Sequence, residues 1–382
     1  MKKKIIAIAL CMSLMGTVLV GCSSSSSGDS SSSTQSSSYE EVEYTAQDYV
    51  TLGEYKGIEI TLNKADYEVT DADVEEEIES QVQSYPQYTK TDKKTVKKKS
   101  VVNIDYVGKI DGEAFDGGTA SDTYIDIAED ESSYIDGFVS GIIGHNVGET
   151  FDVNVTFPED YSSEDLAGKD AVFTMTINAI VKKSYPTMDE LTDDYVSENF
   201  SYDTVDEYVE SVESSLKETA STNKTNDISS KVVETIVSNA EVSGMPAGLL
   251  ESRVAQYKEQ YEDMAEQYGY TLEEYLQNSY GMTEEEFDSE IETSMKENVE
   301  EEMILKAIAE EEKIEVDEDG FNSYVENIVS SYGYEDADAL YAEFSEDYIK
   351  SVYLVNEVRE FVVDNAVVNY TTEDAEDESS AQ

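Results

Sequence analysis

The sequence predicts an α+β protein: a small antiparallel β-sheet domain with a short helix, joined to a mainly α-helical domain. Two observations carry this. Residues 101–107 and 171–181 alternate apolar and polar side chains with the period of two of half-buried strands, and turn clusters such as Asp111-Gly112, Gly117-Gly118 and Asp136-Gly137 lie between them. From Thr187 onward the apolar period changes to 3.6, the spacing of helices that bury one face. A chain of 382 residues is long enough for two or three domains and a sizeable core.

At the amino terminus, Lys2, Lys3 and Lys4 precede an apolar run from Ile5 to Val20. A basic segment, an apolar stretch and small residues before a cysteine describe an export leader over residues 1–21, too short and wrongly flanked for a committed membrane span. The residues Leu19-Val20-Gly21-Cys22 resemble the bacterial lipobox. That resemblance implies cleavage before Cys22 and its diacylglyceryl lipidation, and two acyl chains hold a protein at a membrane where one does not. Cleavage removes Cys11, so one lipidated cysteine remains and no disulfide framework is expected. Twelve of the sixteen residues from Ser23 to Ser38 are serine. Such a stretch buries too little apolar surface to offset its ordering, so residues 22–48 are expected to form a flexible tether spanning roughly 25–30 Å.

Residues 49–95 read as a strand–helix connector. Glu54 to Leu62 reads as a strand; Thr70 then caps a helix, Asp73 takes the capping-box position, and Val74, Ile78 and Val82 share one face. Pro86 ends that helix. Lys90, Lys93, Lys94, Lys97, Lys98 and Lys99 are read as a solvated hinge relieving repulsion between acidic neighbours, in preference to a site for lipid or wall polymer.

Within residues 96–183, five short motifs follow in order. They are Asp105-Tyr106-Val107-Gly108, Asp111-Gly112-Glu113-Ala114-Phe115-Asp116-Gly117-Gly118, Ile135-Asp136-Gly137-Phe138, Gly141-Ile142-Ile143-Gly144-His145 and Val155-Thr156-Phe157-Pro158-Glu159-Asp160-Tyr161. Each is weak alone; together they resemble the FKBP-type peptidyl-prolyl isomerase domain, and more closely the version inside bacterial trigger factor. Prolyl isomerisation needs no nucleophile: the barrier of about 20 kcal/mol is lost amide resonance, lowered by an apolar pocket that accepts a twisted amide. The resemblance implies that Tyr106, Phe115 and Phe173 line the walls, Phe138 forms the floor, and Tyr134 and Ile135 form the rim. It further implies that the Ile135 backbone N–H holds a substrate carbonyl, that Tyr161 donates from its hydroxyl, and that Asp116 is the polar group beside the ring.

Apolar strand residues most often fill a core, so Tyr106 and Phe173 alone would not mark a site; the set at matching motif positions does. Phe138 is phenylalanine, as in trigger factor, where the smaller isomerases have tryptophan. The segment Glu129-Asp130-Glu131-Ser132-Ser133 is expected to place three carboxylates at the rim, and Tyr134 is bulkier than the usual aliphatic. His145, the only histidine, lies in a Gly-flanked turn and is read as structural. With no zinc, P-loop or dinucleotide signature, no metal or cofactor is expected.

Residues 184–370 read as a helical domain. Apolar stripes run through Val205, Tyr208, Val209, Val212 and Leu216; through Leu250, Val254, Tyr257, Tyr261, Met264 and Tyr268; through Phe287, Ile291, Met295, Val299, Met303 and Ala307; and through Phe321, Tyr324, Val325, Ile328 and Tyr332. Thr187, Thr271 and Thr283 each precede a glutamate by three, the capping-box spacing. The order of elements, with Val242-Ser243-Gly244-Met245-Pro246 before a long helix, resembles the trigger factor chaperone domain, whose long helices form arms around a cradle for unfolded chains. The acidic tail, 371–382, is expected to be disordered.

Twenty-five basic residues against 86 acidic give a formal charge of −61. A field of that sign repels phosphate backbones, so neither nucleic acid nor the ribosome is an expected partner. In trigger factor a basic ribosome-docking domain precedes the isomerase; here the leader and tether are expected to stand in its place. The reading is an exported, lipid-anchored foldase, an isomerase joined to a chaperone, acting on unfolded or proline-containing polypeptides at the outer face of the membrane. The alternatives are a holdase with an inactive pocket or, less favoured, a surface adhesin or solute-binding lipoprotein; a solute receptor calls for two α/β lobes, which this pattern does not contain.

Overall fold

The computed structural model describes residues 41–371. In chain order these form β1 (Val50–Thr51), β2 (Glu59–Asn63), α1 (Asp71–Val82), β3 (Gln87–Lys90), β4 (Val101–Ile110), β5 (Glu113–Asp126), β6 (Thr150–Thr156) and β7 (Asp170–Ser184). Then follow α2 (Asp193–Phe200), α3 (Val205–Asn239), β8 (Glu241–Val242), α4 (Leu249–Gln267), α5 (Leu272–Ser279), α6 (Glu284–Glu312), α7 (Glu318–Tyr332), α8 (Ala337–Glu343), α9 (Glu346–Asp364) and β9 (Val367–Thr371). The fold is α+β, an antiparallel sheet unit and a helical unit. The leader, Cys22, the serine run and the tail beyond Thr371 lie outside the described residues. The chain divides into two compact units, residues 69–219, and residues 41–68 with 220–371.

In the sheet unit β7 is central. It pairs along one side with β4 and along the other with β6 over residues 170–176 and β3 over 181–184; β5 pairs with the far side of β4, and every pairing is antiparallel. Asp111 (φ 53°) and Gly112 (φ 87°) make the β4–β5 hairpin turn, as the Asp-Gly pair predicts. Alternation then sends Val102, Ile104, Ile125, Met175 and Ile177 inward, each fully buried. A second core joins α1, through Val74, Ile78 and Val82, to Tyr195 and Val196 of α2 and Tyr208 and Val212 of α3. The Thr70–Asp73 capping box starts α1 as the sequence predicts. Residues 69–95 and 184–219 are thus packed together in this unit, and the sequence boundaries at 95/96 and 183/184 fall inside it.

The lysine-rich stretch departs from the expected hinge. Val96 is buried, its N–H donates to the His145 carbonyl and its carbonyl accepts the Gly144 N–H, while Lys93, Lys94, Lys97, Lys98 and Lys99 face solvent. The lysines are solvated, but the backbone beneath them is stitched to the 144–147 turn.

The helical unit is built around α6, whose Val299, Met303, Ile304, Leu305, Ala307 and Ile308 pack with Val232 and Ile236 of α3, Leu249 of α4 and Val358 and Val362 of α9. Two satellite cores surround Leu276, Phe287 and Ile291, and Phe321, Leu340 and Ile349. Capping boxes open α5 at Thr271 and α6 at Thr283; that at Thr187 opens a short 3-10 turn, and Thr192 caps α2. The Tyr/Met stripe of α4 splits: Tyr257 is buried, whereas Met264 and Tyr268 are exposed.

Two short pairings close this unit, β1 antiparallel with β8 and β2 parallel with β9. Residues 41–48, read from the sequence as the end of the tether, are packed. Ala46 is fully buried, and its N–H and that of Gln47 donate to the Glu310 carboxylate at 2.7 and 3.0 Å. Glu41 bridges Arg253 at 2.9 Å and Lys306 at 2.7 Å, and Glu302 meets the same two cations at 3.0 and 2.9 Å. A buried guanidinium requires carboxylate partners, and Glu41 supplies one from a segment whose composition reads as solvated.

Candidate functional site

The site grows from three strands and two turns of the sheet unit. β4 presents Tyr106 and Gly108, and its register slips against β5 between Ile104 and Tyr106, bending the strand just where the tyrosine is aimed. β7 places Phe173 opposite Gly108. Phe115 lies on β5, and the glycines of the motifs make room for its ring. A Cβ at Gly108 would sit 2.5 Å from Phe173 Cε1 and 2.8 Å from Phe115 Cζ; one at Gly118 would sit 2.6 Å from Phe115 Cε2. The floor is set by the 135–138 turn, in which Phe138 N–H donates to the Ile135 carbonyl at 3.1 Å and Gly137 takes φ 88°. Tyr161 is brought over by the loop after β6, where its N–H donates to the Pro158 carbonyl at 3.2 Å.

These residues enclose a cavity of about 550 Å³ lined by Tyr106, Phe115, Asp116, Tyr134, Ile135, Phe138, Tyr161 and Phe173, which are all eight residues named from the sequence. Phe138 is 2% exposed, and the Tyr106 and Phe173 rings meet it edge-on at 5.2 and 4.8 Å. Phe115 meets Phe173 edge-on at 5.8 Å and Phe157 at 5.7 Å, and Phe157 meets Tyr161 at 4.8 Å. Edge-to-face contacts of this kind fix ring orientation beyond what apolar burial alone does. Tyr134 lies flat on Phe138, 4.9 Å away and 4° from parallel. Burial raises the Tyr106 hydroxyl, and burial, with the nearby Asp130 carboxylate, raises that of Tyr134; both stay protonated and able to donate.

The lining also includes Phe157, Pro158 and Asp136, which lie in the sequence motifs without an assigned role, Ser132 and Ser133 of the rim segment, and Leu166, which the sequence did not mark. Phe157 was legible as the third inward position after Val153 and Val155; Leu166 sits in an irregular loop with no periodic signal. The acidic rim differs from expectation. Glu129 pairs with Lys183 at 2.9 Å and Asp130 accepts the Asp126 N–H at 2.8 Å, and among the described residues the carboxylates lining the cavity are Asp116 and Asp136. His145 is held as a turn residue: it stacks on Phe151 at 3.5 Å, and its Nδ1 lies 2.8 Å from Glu149. Among the described residues no group of three or more His, Cys, Asp or Glu could hold a metal ion.

An apolar, aromatic-walled cavity with hydroxyl donors at its edge can take a proline-sized ring and a desolvated amide. Residues 92–178 match the family of FKBP-type peptidyl-prolyl cis-trans isomerases, and residues 204–369 match the bacterial trigger factor C-terminus. The trigger factor of Acetivibrio thermocellus is 32% identical over 85% of this chain and 74% of its own, and that of Pediococcus pentosaceus 34% identical over 85% and 72%. A solved chain from a study of promiscuous substrate recognition in the folding and assembly activities of the trigger factor chaperone aligns over 82% of this chain and 72% of its own, with 17% identity and a TM-score of 0.42. The chain belongs to the trigger factor family.

Proposed function

We propose that this trigger factor family member is a lipid-anchored foldase that receives unfolded polypeptides at the outer face of the membrane and isomerises their prolyl bonds. The observation that carries the catalytic part is the ring of Tyr106, Phe115, Phe138 and Phe173 around a cavity with Tyr134 and Tyr161 at its edge. A proline ring resting on Phe138 leaves its preceding amide in an environment poorer in water, where the planar, charge-separated form is less favoured than the twisted one. The Ile135 N–H and Tyr161 hydroxyl are the donors for the substrate carbonyls. No covalent step is involved.

The export part is supported by the basic and apolar leader before Leu19-Val20-Gly21-Cys22 and by the serine run that follows. Glu41 is already held by Arg253 and Lys306, so residues 41–48 are not part of the expected tether. The helical unit supplies holding of clients. A second reading, a holdase without catalysis, draws on the Tyr134 ring, which covers one face of the Phe138 floor.

Refolding of a proline-limited protein with substoichiometric mature chain separates the two. Faster folding of the slow phase, at unchanged yield, supports the foldase; unchanged kinetics with less aggregation supports the holdase.

A further inference from the structure

We propose that the lysines of residues 90–99 form a contact surface for anionic phospholipid headgroups that sets how the sheet unit faces a bilayer; the choice of a membrane as partner rests on the lipid-anchor reading of Cys22. Six of the chain's 23 lysines fall within these ten residues, and from Lys90 to Ser100 there is one carboxylate, Asp92. All six are exposed, and among the described residues none has an ion pair or a side-chain hydrogen bond. In the same unit Lys183 pairs with Glu129 and Lys217 with Glu213. A chain with 86 acidic residues thus leaves its densest basic run without carboxylate partners.

The backbone under these lysines is fixed. Thr91 N–H donates to the Ile180 carbonyl at 2.9 Å, the Lys94 carbonyl accepts the Val147 N–H at 2.9 Å, and the Thr95 hydroxyl donates to Asn146 Oδ1 at 2.7 Å. Ser100, 5% exposed, closes the next turn: its N–H donates to the Lys97 carbonyl at 2.9 Å, and its hydroxyl accepts the Lys97 N–H at 3.0 Å. Lys98 and Lys99 occupy the tip of that turn. Lys93 to Lys99 therefore spans at most about 21 Å of chain and holds five cations at set backbone positions. Glu149, from the turn on which the run packs, holds His145 Nδ1 at 2.8 Å and the Asn146 N–H at 2.8 Å rather than a lysine.

Lysine without arginine suits such a partner. An ammonium is a compact, hydrated point charge that meets mobile, spread-out phosphates, whereas the planar fork of arginine suits one phosphate in a fixed pose. The exposed residues between the lysines are Asp92 and Thr95, so no apolar group enters the bilayer and the contact is electrostatic. The formal charge of −61 does not cancel it at physiological ionic strength, where the screening length is about 8 Å and distant carboxylates count for little. Each lysine at an anionic surface contributes about a fivefold factor in binding. Six such factors give roughly 10⁴-fold, the strength of a single acyl chain, which is marginal and reversible. The surface orients a chain already held at a membrane and does not replace its anchor.

The mature chain has one cysteine, Cys22, so it couples to maleimide-bearing lipid in vesicles of chosen composition. Acylation of lysine amines, read by peptide mass spectrometry, then compares phosphatidylglycerol-containing vesicles with phosphatidylcholine vesicles. Lys93, Lys94, Lys97, Lys98 and Lys99 should react severalfold more slowly on the anionic vesicles, with Lys217 unchanged. That protection should vanish at about 1 M salt, where the screening length is about 3 Å. In uncoupled mature chain carrying Cys22→Ala, replacing Lys97, Lys98 and Lys99 together with glutamine should lower association with the anionic vesicles about 100-fold, while Lys217→Gln leaves it unchanged. Equal reactivity on the two vesicles, protection shared equally by Lys217, protection that survives high salt, or association untouched by the triple variant overturns the inference. Protection by dissolved poly(glycerol phosphate) without protection on vesicles also overturns it and assigns the run to a wall polymer. Because the coupling is chemical, these results do not depend on whether cells lipidate Cys22, and failure of the anchor reading shows separately in the fractionation of cells expressing Cys22→Ala.

Discussion

Replacing Phe138 with alanine should remove most of the catalysis and little of the chaperone activity. Its ring is 2% exposed and touches Tyr106, Tyr134 and Phe173 at centroid distances of 5.2, 4.9 and 4.8 Å. Truncating a phenylalanine so placed costs about 3–5 kcal/mol of stability, so the sheet unit must first be shown to remain folded. Phe138→Leu keeps an apolar floor at lower cost and serves as the second variant. The floor's contribution to a bound proline is bounded by burial of one apolar side chain, about 1.5–3 kcal/mol. At 1.36 kcal/mol per decade that is roughly a 10- to 150-fold fall in kcat/KM for Phe138→Ala, with Phe138→Leu in between. The assay is cis–trans conversion of a proline peptide beside suppression of client aggregation. A folded Phe138→Ala protein with undiminished isomerisation refutes the placement of the chemistry. Equal loss of both activities refutes the separation of the two functions.

Gly108→Ala places a methyl 2.5 Å from Phe173 and 2.8 Å from Phe115, so it should lower stability by about 1–3 kcal/mol and raise KM, as denaturant unfolding and kinetics will read. Unchanged values for both would show that the cavity does not depend on that clearance. Glu302→Gln probes the buried charge cluster. Burial raises the Glu302 carboxyl, but Arg253 and Lys306 overcome it and hold the group below the usual carboxylate range. A folded value below the unfolded value of about 4.3 stabilises the protein above that pH, and the contribution is lost as pH falls through the folded value. The variant should therefore be less stable by about 3–5 kcal/mol at pH 7, with the gap closing in acid; a gap constant with pH contradicts the assignment. Cys22→Ala should move the protein from the membrane to the soluble fraction on cell fractionation, and equal retention would end the lipid-anchor proposal.

The sheet domain was legible because its signals are local. Alternation in β4 and β7 and the Asp111-Gly112 turn mark the strands, the family resemblance of the five ordered motifs implies the pocket residues, and Phe157 follows from the same alternation in β6. The α1 and α6 caps were readable for the same reason, since a capping box spans four residues. What escaped depends on pairing across long separations. Nothing local to Glu59–Asn63 reveals its parallel partner at Val367–Thr371, and nothing local to Glu41 reveals Arg253. Glu129 leaves the expected acidic rim through a contact of this kind, because Lys183 pairs with it. Likewise the lysine run shows only charge in sequence, while Val96 beneath it is fixed by hydrogen bonds to the His145 turn.

Exchange spectroscopy on a short proline peptide, with the mature chain at substoichiometric concentration, tests the central claim most directly. Uncatalysed interconversion takes about 10–100 s at 25 °C. The account predicts exchange accelerated well beyond that, with shift changes in the peptide-bound protein centred on Tyr106, Phe138, Tyr161 and Phe173. A peptide that binds among those four residues while its cis and trans forms exchange at the uncatalysed rate would contradict it.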